Sequence, residues 1–167
     1  MEKKSLAPVA LFVYDRPWHT RKTIEALMIN AEAKNTDLYI FSDAVKNNQS
    51  DHSVIEVRDY IQRIIGFQTV TIVERKENFG LARSITEGVT FVCQKHGRVI
   101  VLEDDIVAAP FFLKYMNDAL DYYADVERVI SISGYIYPVK DMLPETFFLR
   151  GADCWGWATW ARGWDVF

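Results

Sequence analysis

Apolar residues in this chain fall into two kinds of pattern. Pro8 to Tyr14 and Val99 to Leu102 are apolar without polar alternation, which suits strands buried on both faces in the middle of a parallel sheet. Leu38 to Phe41, Thr69 to Val73 and Val129 to Gly134 predict three further strands. Between the strands, apolar positions recur at helical spacing. Ile24, Leu27, Met28 and Ala31 follow Pro17, which ends one ladder and opens a helix of about 16 residues. Val54, Val57, Ile61 and Ile64 mark a second helix, started by the Ser53-x-x-Glu56 capping box after a polar loop at 46–51 and stopped by Gly66. Leu81, Ile85, Val89 and Val92 mark a third, ended by Gly97. Phe112, Met116, Leu120 and Tyr123 mark a fourth, opened near Pro110. Strands alternating with helices, and no internal repeat, predict a three-layer α/β/α domain.

Beyond Tyr135 the alternation fails. Pro138, Pro144 and the short run Phe147-Phe148-Leu149 predict irregular structure or an antiparallel edge strand. Trp157, Trp160 and Trp164, at i, i+3 and i+7, fit one face of a helix, either packed in the core or offering flat rings to the C–H face of a ligand.

The run Val99 to Leu102 stops at Glu103-Asp104-Asp105. A strand buried on both faces cannot hide three acids, so they sit at its exit, and open α/β sheets bind ligands outside the carboxyl ends of their strands. Adjacent carboxylates repel one another. A hard cation, Mn2+ or Mg2+, held by one or two of them while a phosphorylated ligand completes its shell, relieves that repulsion. A solvated acidic turn is the plain alternative.

Polar groups mark the other strand exits too: Tyr14-Asp15-Arg16, Ser42-Asp43 and Asn78 to Arg83. Parallel strands place all of them on one edge, where together they fit a nucleotide diphosphate. Asp43 can accept the imide N–H of a pyrimidine, Arg16 or Arg83 can pair with phosphate oxygens, and the acids can hold a metal. Asp15 and Asp43 are also ordinary turn formers, and Arg83, one turn into a helix, is equally readable as a solvated surface charge.

Composition narrows the class. A chain of 167 residues, 50% hydrophobic and 25% charged, has the size of one globular domain. Its net charge of -4 leaves no electrostatic footprint for nucleic acid or an anionic membrane. No apolar run approaches the roughly 20 residues of a membrane span, and no signal peptide is readable, so the expected location is the cytoplasm or the periphery of the inner membrane. Cys93 and Cys154 form no Cys-x-x-Cys pattern and are expected to be reduced and buried. His19, His52 and His96 lack partners at metal-ligand spacing. The closing stretch from Ala161 to Phe167 carries no polar tail, which predicts a part of a longer protein.

Pro8 to Arg16, Asp43, Asn78-Phe79-Gly80-Leu81-Ala82-Arg83 and Leu102-Glu103-Asp104-Asp105 together resemble the nucleotide-sugar-binding half of GT-A type glycosyltransferases. Glu-Asp-Asp is similar to the Asp-x-Asp variant of the enzymes that transfer N-acetylglucosamine onto N-glycans and of bacterial relatives of the family two type. The resemblance covers nearly the whole chain. It implies a Rossmann-like GT-A fold with a mostly parallel central sheet, residues 1–134 as the donor-binding domain and residues 135–167 as the truncated start of an acceptor-side region. It further implies metal-dependent, inverting transfer of a hexosyl or N-acetylhexosaminyl group from a nucleotide-diphosphate sugar, a UDP-sugar above all. The acceptor hydroxyl would belong to a carbohydrate or glycolipid, as in polysaccharide biosynthesis. Asp105 matches the metal ligand, Asp104 and Glu103 the neighbours of donor sugar and ribose, and Asp43 the base contact. Tyr14, Asp15, Arg16 and Arg83 complete the nucleotide-sugar site. One departure is Glu103, where the family pattern has Asp. The family's catalytic base is a carboxylate after the segment that Gly151 to Trp157 resembles; Asp153 matches poorly, so the base is expected beyond Phe167. Rival readings are a non-catalytic nucleotide-sugar-binding module or inactive fragment, and a phosphoacceptor domain, whose acids would be divided between the first strand and a later one.

Overall fold

A computed structural model describes residues 5–46 and 51–167. Strands β1 (Val9–Val13), β2 (Asp37–Ser42), β3 (Thr69–Glu74), β4 (Arg98–Glu103), β5 (Ser131–Ser133) and β6 (Trp157–Trp160) form one sheet in the order β3-β2-β1-β4-β6-β5. The pairs among β1 to β4 are parallel, and β6 alone runs against its neighbours. Helices α1 (Pro17–Ile29), α2 (His52–Ile61), α3 (Gly80–His96), α4 (Phe112–Tyr122) and the single turn α5 (Ala161–Trp164) flank it. The chain therefore adopts the mixed α/β architecture with a mostly parallel central sheet that its pattern predicts.

Strand alternation explains the unbroken apolar runs. Leu11, Ile40, Ile100 and Leu102 face Ile24 and Leu27 of α1, Val57 and Ile61 of α2, and Leu113 and Met116 of α4. Ala10, Phe12, Phe41, Val99 and Val101 face Val89, Val92 and Cys93 of α3 on the other side. With both faces covered, the fully buried positions Val9 to Val13 of β1 and Val99 to Leu102 of β4 are all apolar, and the charged Arg98 and Glu103 stand at the two ends of β4. On the α3 face, Phe12 and Phe41 stack at 5.1 Å, and α3 lies directly on the pair through Gly88. A Cβ there would stand 2.7 Å from the Phe12 ring and 3.1 Å from that of Phe41. Gly88→Ala is expected to destabilise the protein by about 1–2 kcal/mol, because the overpacking of about 1–3 kcal/mol exceeds the helix propensity gained. A urea midpoint equal to or above that of the parent would contradict this packing.

Several elements depart from expectation. Helix α1 spans 13 residues, leaving Ala31 outside it and exposed, and Met28 also points to solvent; Thr20 and Thr23 join Ile24 and Leu27 on the buried face. Helix α2 starts at His52 with Asp51 at its cap and no capping hydrogen bond from a side chain, so Ser53 lies inside the first turn and the capping box is not formed. That helix ends at Ile61, well before Gly66, while residues 47–50 of the expected polar loop lie outside the described residues. Leu81 is exposed, although Gly97 closes α3 as expected with φ +75°.

The largest correction concerns the tryptophans. Trp157 to Trp160 form a strand inserted between β4 and β5, while Phe147 to Leu149 form none. Strand alternation sends Trp160 to the α1/α4 face, where its Nε1 donates to the Leu120 carbonyl at 3.2 Å. Trp157 goes to the α3 face and stacks on Trp164 at 5.9 Å. The rings are core on two faces, not one helical stripe. Cys93 is buried, and burial pushes its thiol up to about 11, whereas Cys154 is exposed. Among the described residues, no helix is long and apolar enough to cross a membrane.

Candidate functional site

From β1 the chain builds outward to β2 and β3, then crosses back to place β4 on the other side of β1. The crevice at the carboxyl ends of β1 and β4 is thus the point where the winding reverses, the usual ligand position in such sheets. Glu103 stands in register with Phe12, so the acid cluster opens into this crevice.

The three acids occupy different environments. Asp104 turns inward and is 7% exposed; its Oδ2 accepts the Tyr14 N–H at 3.3 Å, and its carbonyl accepts the Thr23 hydroxyl of α1 at 2.9 Å. Burial pushes its carboxyl up to about 6, against the Tyr14 N–H and the Arg16 guanidinium, which pull it down. Glu103 is half-buried and also raised, first by burial and then by Asp105 and Asp104. Asp105 faces outward, with Oδ2 2.7 Å from the Arg16 guanidinium, which also stands 3.9 Å from Asp104. Both partners of the Arg16–Asp105 pair are about half exposed, so the contact is worth only about 0–1 kcal/mol and can be exchanged for another ligand.

A second cluster forms at the exit of β2. Asp43 is 6% exposed; its Oδ1 accepts the N–H groups of Ala44 and Phe79, and its Oδ2 that of Gly80, each at 2.9 Å. The N-terminus of α3 has no side-chain cap of its own at Phe79, so Asp43 supplies that function from a neighbouring strand. Asn78 ties the same loop down through the Ala44 carbonyl at 2.6 Å. Arg58 of α2 donates to the Ser42 hydroxyl at 3.3 Å and to the carbonyls of Asp43 and Arg75 at 3.2 and 2.9 Å. Arg83 lies 3.7 Å over the Phe79 ring and pairs with Glu87 and Glu77.

The fold thus brings Tyr14, Arg16, Glu103, Asp104 and Asp105 into one crevice. It sets Asp43 on the same edge but turned towards α3, engages Arg83 with its own helix neighbours, and leaves Asp15 exposed in the turn before α1. The Tyr14 hydroxyl accepts the Lys46 N–H at 3.1 Å, linking the two exits. Arg58 was not legible as a site-shaping residue, since neither helical spacing nor a strand end marks it.

A cleft of about 760 Å³ opens beside the acids, with Glu103, Asp105, Ile106, Tyr115, Tyr135 and Trp155 in its walls. Among the described residues, no group of three or more His, Cys, Asp or Glu is arranged to hold a metal ion. The donors that face the crevice are carboxylate oxygens, and that set fits Mg2+ or Mn2+, which typically take one or two carboxylates and complete their shell with water and phosphate.

No protein-family model matches the sequence, and no curated protein matches it. Solved structures do. The mannosyltransferase PcManGT from Pyrobaculum calidifontis, solved with GDP-Man and Mn2+, superposes with a TM-score of 0.51 at 15% identity, over 79% of this chain and 39% of that one. TarS from S. aureus superposes at 0.49 and 11% identity over 78% and 23%, and its 1–349 portion with UDP at 0.47 and 12% over 79% and 38%. The chain spans about two fifths of the mannosyltransferase's length. What the sheet order and this superposition establish together is the fold: this chain has the Rossmann-like α/β architecture found in a nucleotide-sugar glycosyltransferase.

Proposed function

We propose that the chain is the donor-binding unit of a metal-dependent glycosyltransferase of GT-A type, taking a nucleotide-diphosphate sugar. The observation that carries this reading is the gathering of Glu103, Asp104, Asp105 and Arg16 in the β1/β4 crevice, beside an open cleft. The mannosyltransferase of the same fold was solved with a nucleotide sugar and Mn2+, the same pairing of ligands.

In this reading Asp105 holds Mn2+ or Mg2+, and the cation, when bound, neutralises charge on the departing diphosphate. Arg16 exchanges Asp105 for a phosphate oxygen, a bidentate contact that suits its guanidinium. Glu103 and Asp104 face the donor sugar and ribose hydroxyls. Asp43 has used three of about four lone-pair sites on backbone N–H groups, which leaves one for the imide of a pyrimidine. Asp153 accepts the Trp155 N–H at 3.2 Å and is not assigned as the base that deprotonates the acceptor. The Glu-Asp-Asp resemblance favours an inverting N-acetylhexosaminyl- or hexosyltransferase with a carbohydrate or glycolipid acceptor, and residues 135–167 as its acceptor side.

Calorimetry with UDP and GDP, with and without MnCl2, between pH 5 and pH 8 tests this. Binding is expected only with the cation, and it should strengthen as pH rises through about 6, where Asp104 loses its proton. The sign follows from linkage. A carboxyl raised from 3.8 to about 6 on folding stabilises the free protein fully below pH 3.8, and that contribution is lost as pH rises through about 6; a bound cation favours the opposite, ionised form. Binding that ignores the cation would sink the reading, and binding without sugar turnover would favour a non-catalytic module.

A further inference from the structure

The two edges of the sheet are unlike. β5 closes one edge with three residues, whereas β3 leaves six at the other, and among the described residues no strand pairs with its outer side. Burial falls off accordingly. In β2, Ile40 and Phe41 are buried, while their register partners in β3, Ile72 and Val73, are only half-buried, and Thr69 and Thr71 are exposed. Sheets usually guard a long edge with a proline, a lysine, a bulge or an inward-pointing charge, and the regular run Val70-Thr71-Ile72-Val73 carries none of them. Its β-branched residues instead favour continued pairing.

Ladder geometry fixes which backbone groups are open. Arg75, just past β3, donates its N–H to the Ser42 carbonyl at 2.9 Å, and in a parallel ladder such bonds recur at every second residue. Val73 and Thr71 therefore also turn towards β2, and Val70 and Ile72 present their N–H and C=O groups outward. Gln68, before the strand, is bound to the Thr36 carbonyl at 3.0 Å and limits the open stretch at its start. Beyond Ile72, the Glu74 carboxylate is held on its own chain by Gln62 at 2.8 Å and Arg58 at 3.5 Å.

We propose that β3 pairs antiparallel with β3 of a second copy of this chain, about a two-fold axis through Thr71, and so joins two six-stranded sheets into one. A strand paired with itself supplies its own complement. In this register Val70 and the partner's Ile72 exchange two hydrogen bonds, and the symmetry-related pair exchanges two more. Thr71 faces the partner's Thr71, and Thr69 faces the partner's Val73, so β-branched side chains meet on both faces. Centring on Ile72 instead would set each Glu74 against a Val70 and draw it from Arg58 and Gln62. The proposal does not rest on the glycosyltransferase reading. β2 separates β3 from the β1/β4 crevice, and antiparallel pairing opens the two crevices on opposite sides of the joint sheet.

Light scattering over a dilution series, together with amide exchange, tests it. The parent is expected at twice the mass of the chain when concentrated and at the chain's own mass when dilute. With rising concentration the Val70 and Ile72 amides should become protected, whereas those of Thr71 and Val73 stay protected throughout. Thr71 is exposed, so Thr71→Lys and Thr71→Glu should melt as the dissociated parent does. Each should raise the dimer Kd at least about fivefold, because it sets like charges directly opposite, and an equimolar mixture of the two should restore the dimer. A parent that keeps the chain's own mass at every concentration would overturn the proposal, as would a dimer indifferent to both substitutions. Two monomeric variants that fail to associate on mixing would overturn the axis through Thr71.

Discussion

Asp105→Asn is expected to abolish the rise in melting temperature that UDP or GDP produces together with Mn2+. At a ligand concentration about a hundredfold above Kd, binding stabilises the folded chain by about 2.7 kcal/mol. For a domain of this size that is a rise of about 5–10 °C, and the variant should show almost none of it. Asp105 is half exposed and its pair with Arg16 is a surface contact, so the unliganded variant should stay within about 0.5 kcal/mol of the parent. Loss of the ligand effect would then report the site and not unfolding. A variant with the full Mn2+-dependent rise would show that the cation is held elsewhere, and Glu103, in the wall of the same cleft, would become the residue to replace.

Asp43→Ala is expected to cost more in stability than any other single change at the strand exits. It orphans three N–H groups, those of Ala44, Phe79 and Gly80, in a site where Asp43 is 6% exposed. Hydrogen bonds to a charged acceptor and a lost helix cap together suggest about 2–4 kcal/mol, a fall in melting temperature of about 5–15 °C. Asp43→Asn keeps one acceptor oxygen and should lose about half as much. Thermal unfolding of both variants separates a brace from a ligand contact. If Asp43→Ala melts with the parent while UDP binding collapses, Asp43 acts on the nucleotide alone.

Much of the architecture was legible because it is local. Unbroken runs in β1 and β4 announce burial on both faces, and helical periodicity located α1 to α4 to within a few residues. The acids at 103–105 were readable for the same reason, since a buried strand can only release them at its end. Short segments were less legible. Trp157-Ala158-Thr159-Trp160 has the spacing of a helical turn, and only its pairing with β4 and β5 reveals a strand with rings on opposite faces. Ser53 and Glu56 have capping-box spacing, but the cap falls two residues earlier, at Asp51, so the pattern goes unused. Arg58 carries no mark in the sequence, because its partners, Ser42, Asp43 and Arg75, come from other elements.

By itself, the sequence determined that carboxylates must emerge from hydrophobic strands on one edge of a parallel sheet, since local apolar spacing dictates burial and burial excludes charge. Tertiary structure decided which of them meet. It set β4 beside β1, joined Asp105 to Arg16 across 89 positions, folded Asp104 under the Tyr14 amide, and turned Asp43 towards α3. Strand neighbours are chosen by packing between distant segments, a free energy that no local period encodes.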